Sequence, residues 1–211
     1  MLKLTQISRS YGRKTVLDAV SASFPVGLTL LVGPSGAGKS TLLRLIATAE
    51  KPNKGEVAWD GAALPGARQA LRAALGYAPQ AVELPDDLTA REFALHMAAL
   101  KGLDAREADA QFGAITERIG LHADINNRIS TFSGGMRRRL IFAQSMLGAP
   151  RLLALDEPTA ELDGETAARL SELIVERARE AVVVMTTHLA DALAPAAVQV
   201  LRVDQGRVVP A

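Results

Sequence analysis

A glycine-rich segment at residues 33–41 constrains the fold more than any other feature of this chain. It reads GPSGAGKST and follows an apolar run at residues 28–32, which is predicted to be a strand. A helical pattern begins near Gly38, with a thick apolar stripe that runs to about Ala49. The spacing Gly-x-x-x-x-Gly-Lys-Ser is the Walker A pattern, in which backbone N–H groups and a helix N-terminus surround phosphate groups. The sequence therefore predicts an α/β fold with a phosphate-binding loop.

The residue types in this loop indicate how a nucleoside triphosphate would bind. The Lys39 ammonium would reach the β and γ phosphates, and the Ser40 hydroxyl would bind Mg²⁺. A plain glycine-rich turn with Lys39 in solvent is the alternative, but the flanking strand and helix favour the phosphate site. The predicted nucleotide-binding residues here are Gly33, Pro34, Ser35, Gly36, Ala37, Gly38, Lys39, Ser40 and Thr41.

Two carboxylates follow a second apolar run, in the segment RLLALDEP at residues 151–158. Open α/β sheets bind ligands at the carboxyl ends of their strands. Successive strand residues point in opposite directions, so the two acids are predicted to have different roles. Asp156 would bind the metal, and Glu157 would be the general base for the attacking water. An Asp-Glu pair alone is more often a cap or a turn, and the Walker A segment upstream favours the catalytic interpretation.

The apolar patterning divides the chain into three parts. The first is rich in strands, the middle is mostly helical, and strand and helix alternate again after Pro150. In the middle part, Thr89 with Glu92 and Asp104 with Glu107 have the capping-box pattern. We predict a single domain in which residues 1–84 and 151–211 form an ATP-binding core and residues 85–150 form an inserted helical subdomain. The predicted strands are residues 2–7, 16–24, 28–32, 56–59, 152–155, 182–185, 198–203 and 207–209, with a helix at 165–179.

Composition excludes several classes of function. The 24 basic and 23 acidic residues leave a net charge of +1, so we expect no nucleic-acid partner. The chain has no cysteine, which excludes disulfides, thiolate catalysis and cysteine-ligated metals. No run approaches the roughly 18 apolar residues that cross a bilayer, and the first residues lack the apolar core of a signal peptide. We therefore expect a cytosolic protein.

The segment Ser133-Gly134-Gly135 stands at the predicted start of a helix, where a hydroxyl and two glycine amides can form a second anion site. An ordinary serine N-cap is the alternative. Here the sequence resembles the ATP-binding subunits of ABC transporters, whose signature reads LSGGQ; Phe132 and Met136 replace its outer residues. The form SGGMRRR at residues 133–139 and the phrase LTAREF at residues 88–93 resemble the ABC-2-type exporter ATPases.

The resemblance covers the full length and implies roles for further residues. Gln80 would contact Mg²⁺ or the lytic water, His188 would contact the γ-phosphate, and Tyr11 would stack on adenine. Residues 160–163 resemble the family's D-loop, although Glu161 replaces a small residue there. Each has a structural alternative: a polar loop residue, a structural histidine, a packed tyrosine, or a helix N-cap at Asp163.

The resemblance implies a phosphate-loop NTPase core with a mixed sheet and an N-terminal antiparallel β portion. It implies ATP and Mg²⁺ as ligands, and head-to-tail pairing with a second copy or a related ATPase subunit. It further implies an integral membrane permease that docks near Gln80 and residues 83–89, which would hold the chain at the inner face of the cell membrane. The alternatives are a non-transport ABC-type ATPase, a regulatory nucleotide switch, and a phosphate-loop kinase or GTPase.

Overall fold

The computed structural model describes residues 1–187 and 190–211. One sheet has four strands in the order β2-β1-β4-β5, and all of its neighbouring strands are antiparallel. This sheet confirms the predicted N-terminal antiparallel portion, and its strands extend beyond the predicted limits. The strands are β1 (Leu2–Tyr11), β2 (Lys14–Phe24), β4 (Lys54–Trp59) and β5 (Ala62–Ala63).

The second sheet has six strands in the order β10-β9-β3-β8-β7-β6. The strands from β9 to β6 pair in parallel, and only β10 is antiparallel to its neighbour. Strands β7 and β8 are buried along their whole length, because helices cover the sheet, and such strands read as continuous apolar runs. The strands are β3 (Gly27–Val32), β6 (Leu75–Ala78), β7 (Leu152–Asp156), β8 (Val182–Thr186), β9 (Ala197–Asp204) and β10 (Arg207–Pro210).

This strand order positions the site. The Walker A segment follows β3 and the two carboxylates follow β7, with β8 between these two strands. Because all three strands are parallel, their carboxyl ends meet at one edge of the sheet. The mixed sheet with its phosphate loop confirms the predicted fold class.

The helices fall largely where the periodicity predicts them. The first ends earlier than expected, at Ile46, and α2 together with β6 was not predicted. Helix α2 is too short to show a 3.6-residue period, since it buries only Leu71. The helices are α1 (Lys39–Ile46), α2 (Arg68–Ala74), α3 (Ala90–Leu100), α4 (Ala105–Arg118), α5 (Gly134–Ser145), α6 (Gly164–Ala178) and α7 (Ala190–Leu193). None of the described helices is long and apolar enough to span a bilayer.

Helix caps follow the sequence with one difference. Thr89 and Glu92 form the complete predicted capping box at the start of α3. Asp104 accepts hydrogen bonds from two backbone N–H groups of α4, but the Glu107 side chain does not return to it. Instead Glu107 Oε1 accepts from Gln111 Nε2 at 3.0 Å, so this box is only half formed.

Helix α3 buries a different face from the one its large apolar residues suggest. Alanines at positions 90, 94 and 98 face the core. Phe93 and Met97 are only half-buried, and Leu100 is 71% exposed. Phe93 packs against the edge of the core, and Phe93, Met97 and Leu100 together border a groove at the surface.

Candidate nucleotide-binding site

The backbone of the Walker A segment requires glycine at its two ends. Gly33 has a φ of 135°, and a Cβ added there would lie 2.1 Å from the carbonyl oxygen of Val203. Gly38 is the N-cap of α1 with a φ of 109°. Both conformations favour glycine, and the first also excludes any side chain by contact. The sharp turn from β3 into α1 thus depends on these two positions.

Lys39 lies inside the loop. Its ammonium donates to the carbonyl oxygens of Gly33 at 2.7 Å and Pro34 at 2.9 Å, and the residue is 8% exposed. These bonds fix the ammonium against the loop, and the group has a further N–H donor for a phosphate oxygen. Ala37 N–H also donates to the Pro34 carbonyl, at 3.3 Å, which closes the turn.

A cavity of about 400 Å³ combines three of the predicted motifs. Residues from the Walker A segment line it together with Gln80 and Glu157. Gly33, Pro34 and Ala37 do not line this space. The lining residues are Val16, Ser35, Gly36, Gly38, Lys39, Ser40, Thr41, Gln80 and Glu157.

The two acids after β7 lie in different surroundings, as their alternation predicts. Asp156 is 5% exposed, and its Oδ1 accepts from Thr186 Oγ1 at 2.7 Å. Glu157 lies at the cavity, with a left-handed φ of 51°. Such conformations are uncommon for residues other than glycine and concentrate at functional sites.

Thr186, at the end of β8, organises both acids. Its hydroxyl donates to Asp156 and also accepts from the Glu157 N–H at 2.9 Å. Sequence reasoning missed this residue, although its place in the Thr-Thr-His segment could have indicated it. Thr187 is buried and lines a second, neighbouring cavity, to which Glu157 also contributes.

Gln80 and Glu157 contact each other directly. Gln80 Nε2 donates to Glu157 Oε2 at 3.3 Å, although the residues are 77 positions apart.

The predicted metal ligands Ser40, Gln80 and Asp156 supply hydroxyl, amide and carboxylate oxygens. These hard oxygen donors suit Mg²⁺.

Tyr11 is attached to the Walker A helix through a polar cluster. Its hydroxyl donates to Glu50 Oε2, and Arg44 donates both to Glu50 Oε1, at 2.6 Å, and to Thr41 Oγ1, at 3.1 Å. The Arg9 guanidinium lies 4.7 Å from the centre of the Tyr11 ring. These contacts fix the ring, while adenine stacking on Tyr11 stays a prediction.

Burial and the neighbouring polar groups of this cluster shift the pKa of the Glu50 carboxyl in opposite directions. Burial favours a higher pKa for the Glu50 carboxyl, but hydrogen bonding from Tyr11 and the charge of Arg44 outweigh it, so the pKa falls below its usual value. Glu50 therefore remains an anion that accepts from both neighbours. Sequence reasoning missed Arg9, Arg44 and Glu50, since they meet only in the folded chain.

The signature segment lies elsewhere on the surface. Ser133 and Gly134 are exposed, and neither lines the cavity that holds Lys39. Ser133 caps α5, where its Oγ accepts from the Met136 N–H at 3.2 Å. The structure thus brings the predicted residues Ser35, Gly36, Gly38, Lys39, Ser40, Thr41, Gln80 and Glu157 to one cavity. The other predicted residues that the structure describes do not line it: Tyr11, Gly33, Pro34, Ala37, Ser133, Gly134, Gly135 and Asp156. His188 lies outside the described residues.

Comparison with known proteins agrees with this arrangement. A family described as ABC transporter matches residues 17–160. The Nod factor export ATP-binding protein I of Rhizobium etli is 34% identical over 193 residues, which cover 89% of this chain and 60% of the relative. That of Paraburkholderia xenovorans is 32% identical over 212 residues, covering 98% of this chain and 68% of the relative. The chain thus spans about 60% of the length of the Rhizobium etli relative.

Solved structures show the same fold. The ATP-binding subunit of an ABC transporter superposes with a TM-score of 0.89 at 25% identity, covering 99% of this chain and 88% of the other. A dimeric bacterial ABC transporter cassette gives the same score and identity, covering 99% of this chain and 96% of the other. In this chain, the phosphate loop, the paired acids and the Ser-Gly-Gly helix start all lie in the fold that it shares with these structures. This chain therefore belongs to the ABC transporter family.

Proposed function

We propose that this chain is an ATP-binding and ATP-hydrolysing subunit that powers a separate membrane permease through nucleotide-dependent dimer closure. One observation carries the proposal. The Walker A residues, Gln80 and Glu157 surround one cavity, whereas the Ser133 segment lies exposed on a different part of the surface. A second copy, or a related subunit, would supply its own Ser133 segment to this cavity.

The residues at the cavity support an in-line attack on the γ-phosphate. Lys39 and the loop N–H groups would bind the phosphate oxygens and stabilise the charge that develops on them. Glu157 would accept a proton from the attacking water, and its hydrogen bond from Gln80 would orient the carboxylate. Ser40, Gln80 and Asp156 would hold Mg²⁺, which neutralises phosphate charge when bound. Contact between His188 and the γ-phosphate remains part of the proposal.

The dimer would bind ATP between Lys39 of one subunit and Ser133 of the other. Closure would exclude water and add the glycine amides of the signature segment to the phosphate contacts. Loss of the γ-phosphate would remove the charge that holds the subunits together, so hydrolysis would reopen the dimer.

An apolar groove beside the site is suited to a helix of the permease. Its volume is about 610 Å³, and the half-buried stripe of α3 forms one wall. Val82 and Leu100 at its edge are 49% and 71% exposed, and with the apolar lining of the groove they form a contiguous patch of the kind that partners cover. The opposite wall includes Tyr77, whose pKa is raised to about 12 by burial and by the charge of Asp156. Tyr77 lies on β6, which pairs with β7, and β7 ends at Asp156, so the groove lies near the carboxylate that is proposed to bind the metal.

Substitution in this groove tests the docking proposal. Leu100→Glu should abolish co-purification with the permease, because it places a charge on the apolar wall, while ATP hydrolysis by the isolated subunit stays unchanged. Val26→Glu is the matched control, since Val26 is also exposed but lies outside the groove. Pull-down from detergent-solubilised membranes measures both. Equal retention of the permease by the two variants would exclude this groove.

Lys101 at the same groove gives a pH-dependent prediction. Burial lowers the pKa of Lys101 from 10.5 to about 8. The folded state holds this proton less tightly than the unfolded chain does, so the ammonium destabilises the fold below pH 8, and this cost disappears as pH rises to 10.5. Lys101→Met also removes the hydrogen bond from the Lys101 ammonium to the Leu147 carbonyl oxygen, at 3.2 Å, and this loss applies at both pH values. The change in melting temperature should therefore be more favourable at pH 7 than near pH 10.5, by about 3 °C. Thermal unfolding of both proteins measures this, and equal changes at the two pH values would contradict it.

We propose export as the direction of transport. The relatives named Nod factor export ATP-binding proteins, together with the SGGMRRR segment, support an exporter in which the chain lies on the cytoplasmic face. Purification of the tagged chain from membranes should recover an integral membrane protein in a defined ratio. A tagged chain that is found only in the soluble fraction, with no membrane protein bound, would favour the non-transport ATPase.

A further inference from the structure

Arg138 connects the signature helix with the loop that follows the candidate base. One guanidinium nitrogen of Arg138, on α5, donates to the carbonyl oxygen of Ala160. The other lies 3.4 Å from Glu161 Oε2. The Arg138 side chain is 18% exposed and that of Glu161 is 77% exposed, so the arginine is the fixed partner. We call residues 160–163 the D-loop.

Two further contacts extend this connection in both directions. The Ala160 N–H donates to the carbonyl oxygen of Glu157 at 3.2 Å. At the other end, a Cβ added at Gly135 would lie 3.5 Å from Leu162 Cδ2, so the start of α5 rests against the D-loop. A continuous path of contacts therefore runs from Glu157 through the D-loop to the helix that Ser133 caps.

Glu161 holds a backbone conformation that its residue type does not favour. Its φ is 60°, in the left-handed region where glycine is preferred. An ion pair whose carboxylate is 77% exposed contributes little to stability, so the pair with Arg138 is a weak reason to keep a glutamate at a strained position. Strained positions of this kind concentrate where a loop must hold one geometry for function.

We infer that Arg138 is a positioning residue that couples the two nucleotide sites of a dimer. The inference rests on the proposed function, in which Ser133 contacts the partner's nucleotide while Glu157 of the same chain acts on its own. Binding of nucleotide at Ser133 would move α5, and Arg138 would transmit this movement to the D-loop and to Glu157. Each site would then hydrolyse efficiently only when the other is also filled.

The dependence of hydrolysis rate on ATP concentration tests this coupling. The unmodified protein should give a sigmoidal curve. Arg138→Met and Glu161→Gln should each give a hyperbolic curve, and the maximal rate of each should fall by no more than about fivefold. The double variant should be no worse than Arg138→Met alone, because Arg138→Met already removes the ion pair with Glu161 together with the bond to the Ala160 carbonyl oxygen. A hyperbolic curve in the unmodified protein, or a sigmoidal curve in Arg138→Met, would overturn the inference.

Matched controls separate coupling from folding. Arg118→Met and Glu176→Gln remove a bidentate pair of 2.7 and 2.8 Å between α4 and α6, and both should keep the sigmoidal curve. Glu161→Gly removes the carboxylate but relieves the backbone, so it should melt no lower than the unmodified protein and still be hyperbolic. A sigmoidal curve for Glu161→Gly would show that the ion pair has no coupling role.

The proposed dimer is tested independently by light scattering of Glu157→Gln with ATP. A variant that stays monomeric would refute the proposed function and the coupling with it. Dimerisation of Glu157→Gln combined with an unchanged sigmoidal curve for Arg138→Met would refute the coupling alone.

Discussion

Replacement of Glu157 by glutamine is expected to reduce steady-state ATP hydrolysis by about a thousandfold, the scale of a general base. The amide cannot accept the proton of the attacking water, but it can still accept the hydrogen bond from Gln80. ATP binding should therefore persist, and the variant should remain closed as an ATP-bound dimer. Phosphate release measures the rate, and light scattering measures the dimer.

Glu172→Gln provides the control for this substitution. Glu172 lies exposed on α6 and does not line the nucleotide cavity, so the same chemical change should leave hydrolysis unaltered. Hydrolysis by Glu157→Gln at the unmodified rate would show that another group takes the proton.

Replacement of Lys39 by methionine should weaken ATP binding by about a hundredfold, because a hydrogen bond between charged groups contributes about 1.5–3 kcal/mol. Methionine keeps much of the length of the side chain but has no ammonium to contact the phosphates. The change also removes the two bonds to the carbonyls of Gly33 and Pro34, so the loop loses its internal support. Titration with a fluorescent ATP analogue measures the affinity.

Lys54→Met is the corresponding control. Lys54 is exposed on β4, away from the nucleotide cavity, so its loss changes the net charge equally without removing a phosphate contact. Equal loss of affinity in both variants would mean that overall charge, and not the position of Lys39, governs binding. Circular dichroism of both variants shows whether each is folded.

Local chemistry made part of the fold predictable. The glycines of the Walker A segment, the capping box at Thr89 and Glu92 and the alternation of Asp156 and Glu157 all act between near neighbours in the chain. Helix α2 escaped prediction because one buried residue shows no period. Helix α3 misled in another way, since alanines form its buried face and its larger apolar residues border the groove.

The candidate site also combines features that are local in the chain with contacts between distant residues. The sequence by itself determined which residues are the candidates for phosphate and proton chemistry, since each motif is contiguous and its geometry is local. Only the tertiary structure decided that Gln80 meets Glu157, that Thr186 holds both acids and that Arg138 meets Glu161. These contacts join residues distant in the chain, and they depend on the strand order of the sheet and on how α5 packs against it, which no local pattern encodes.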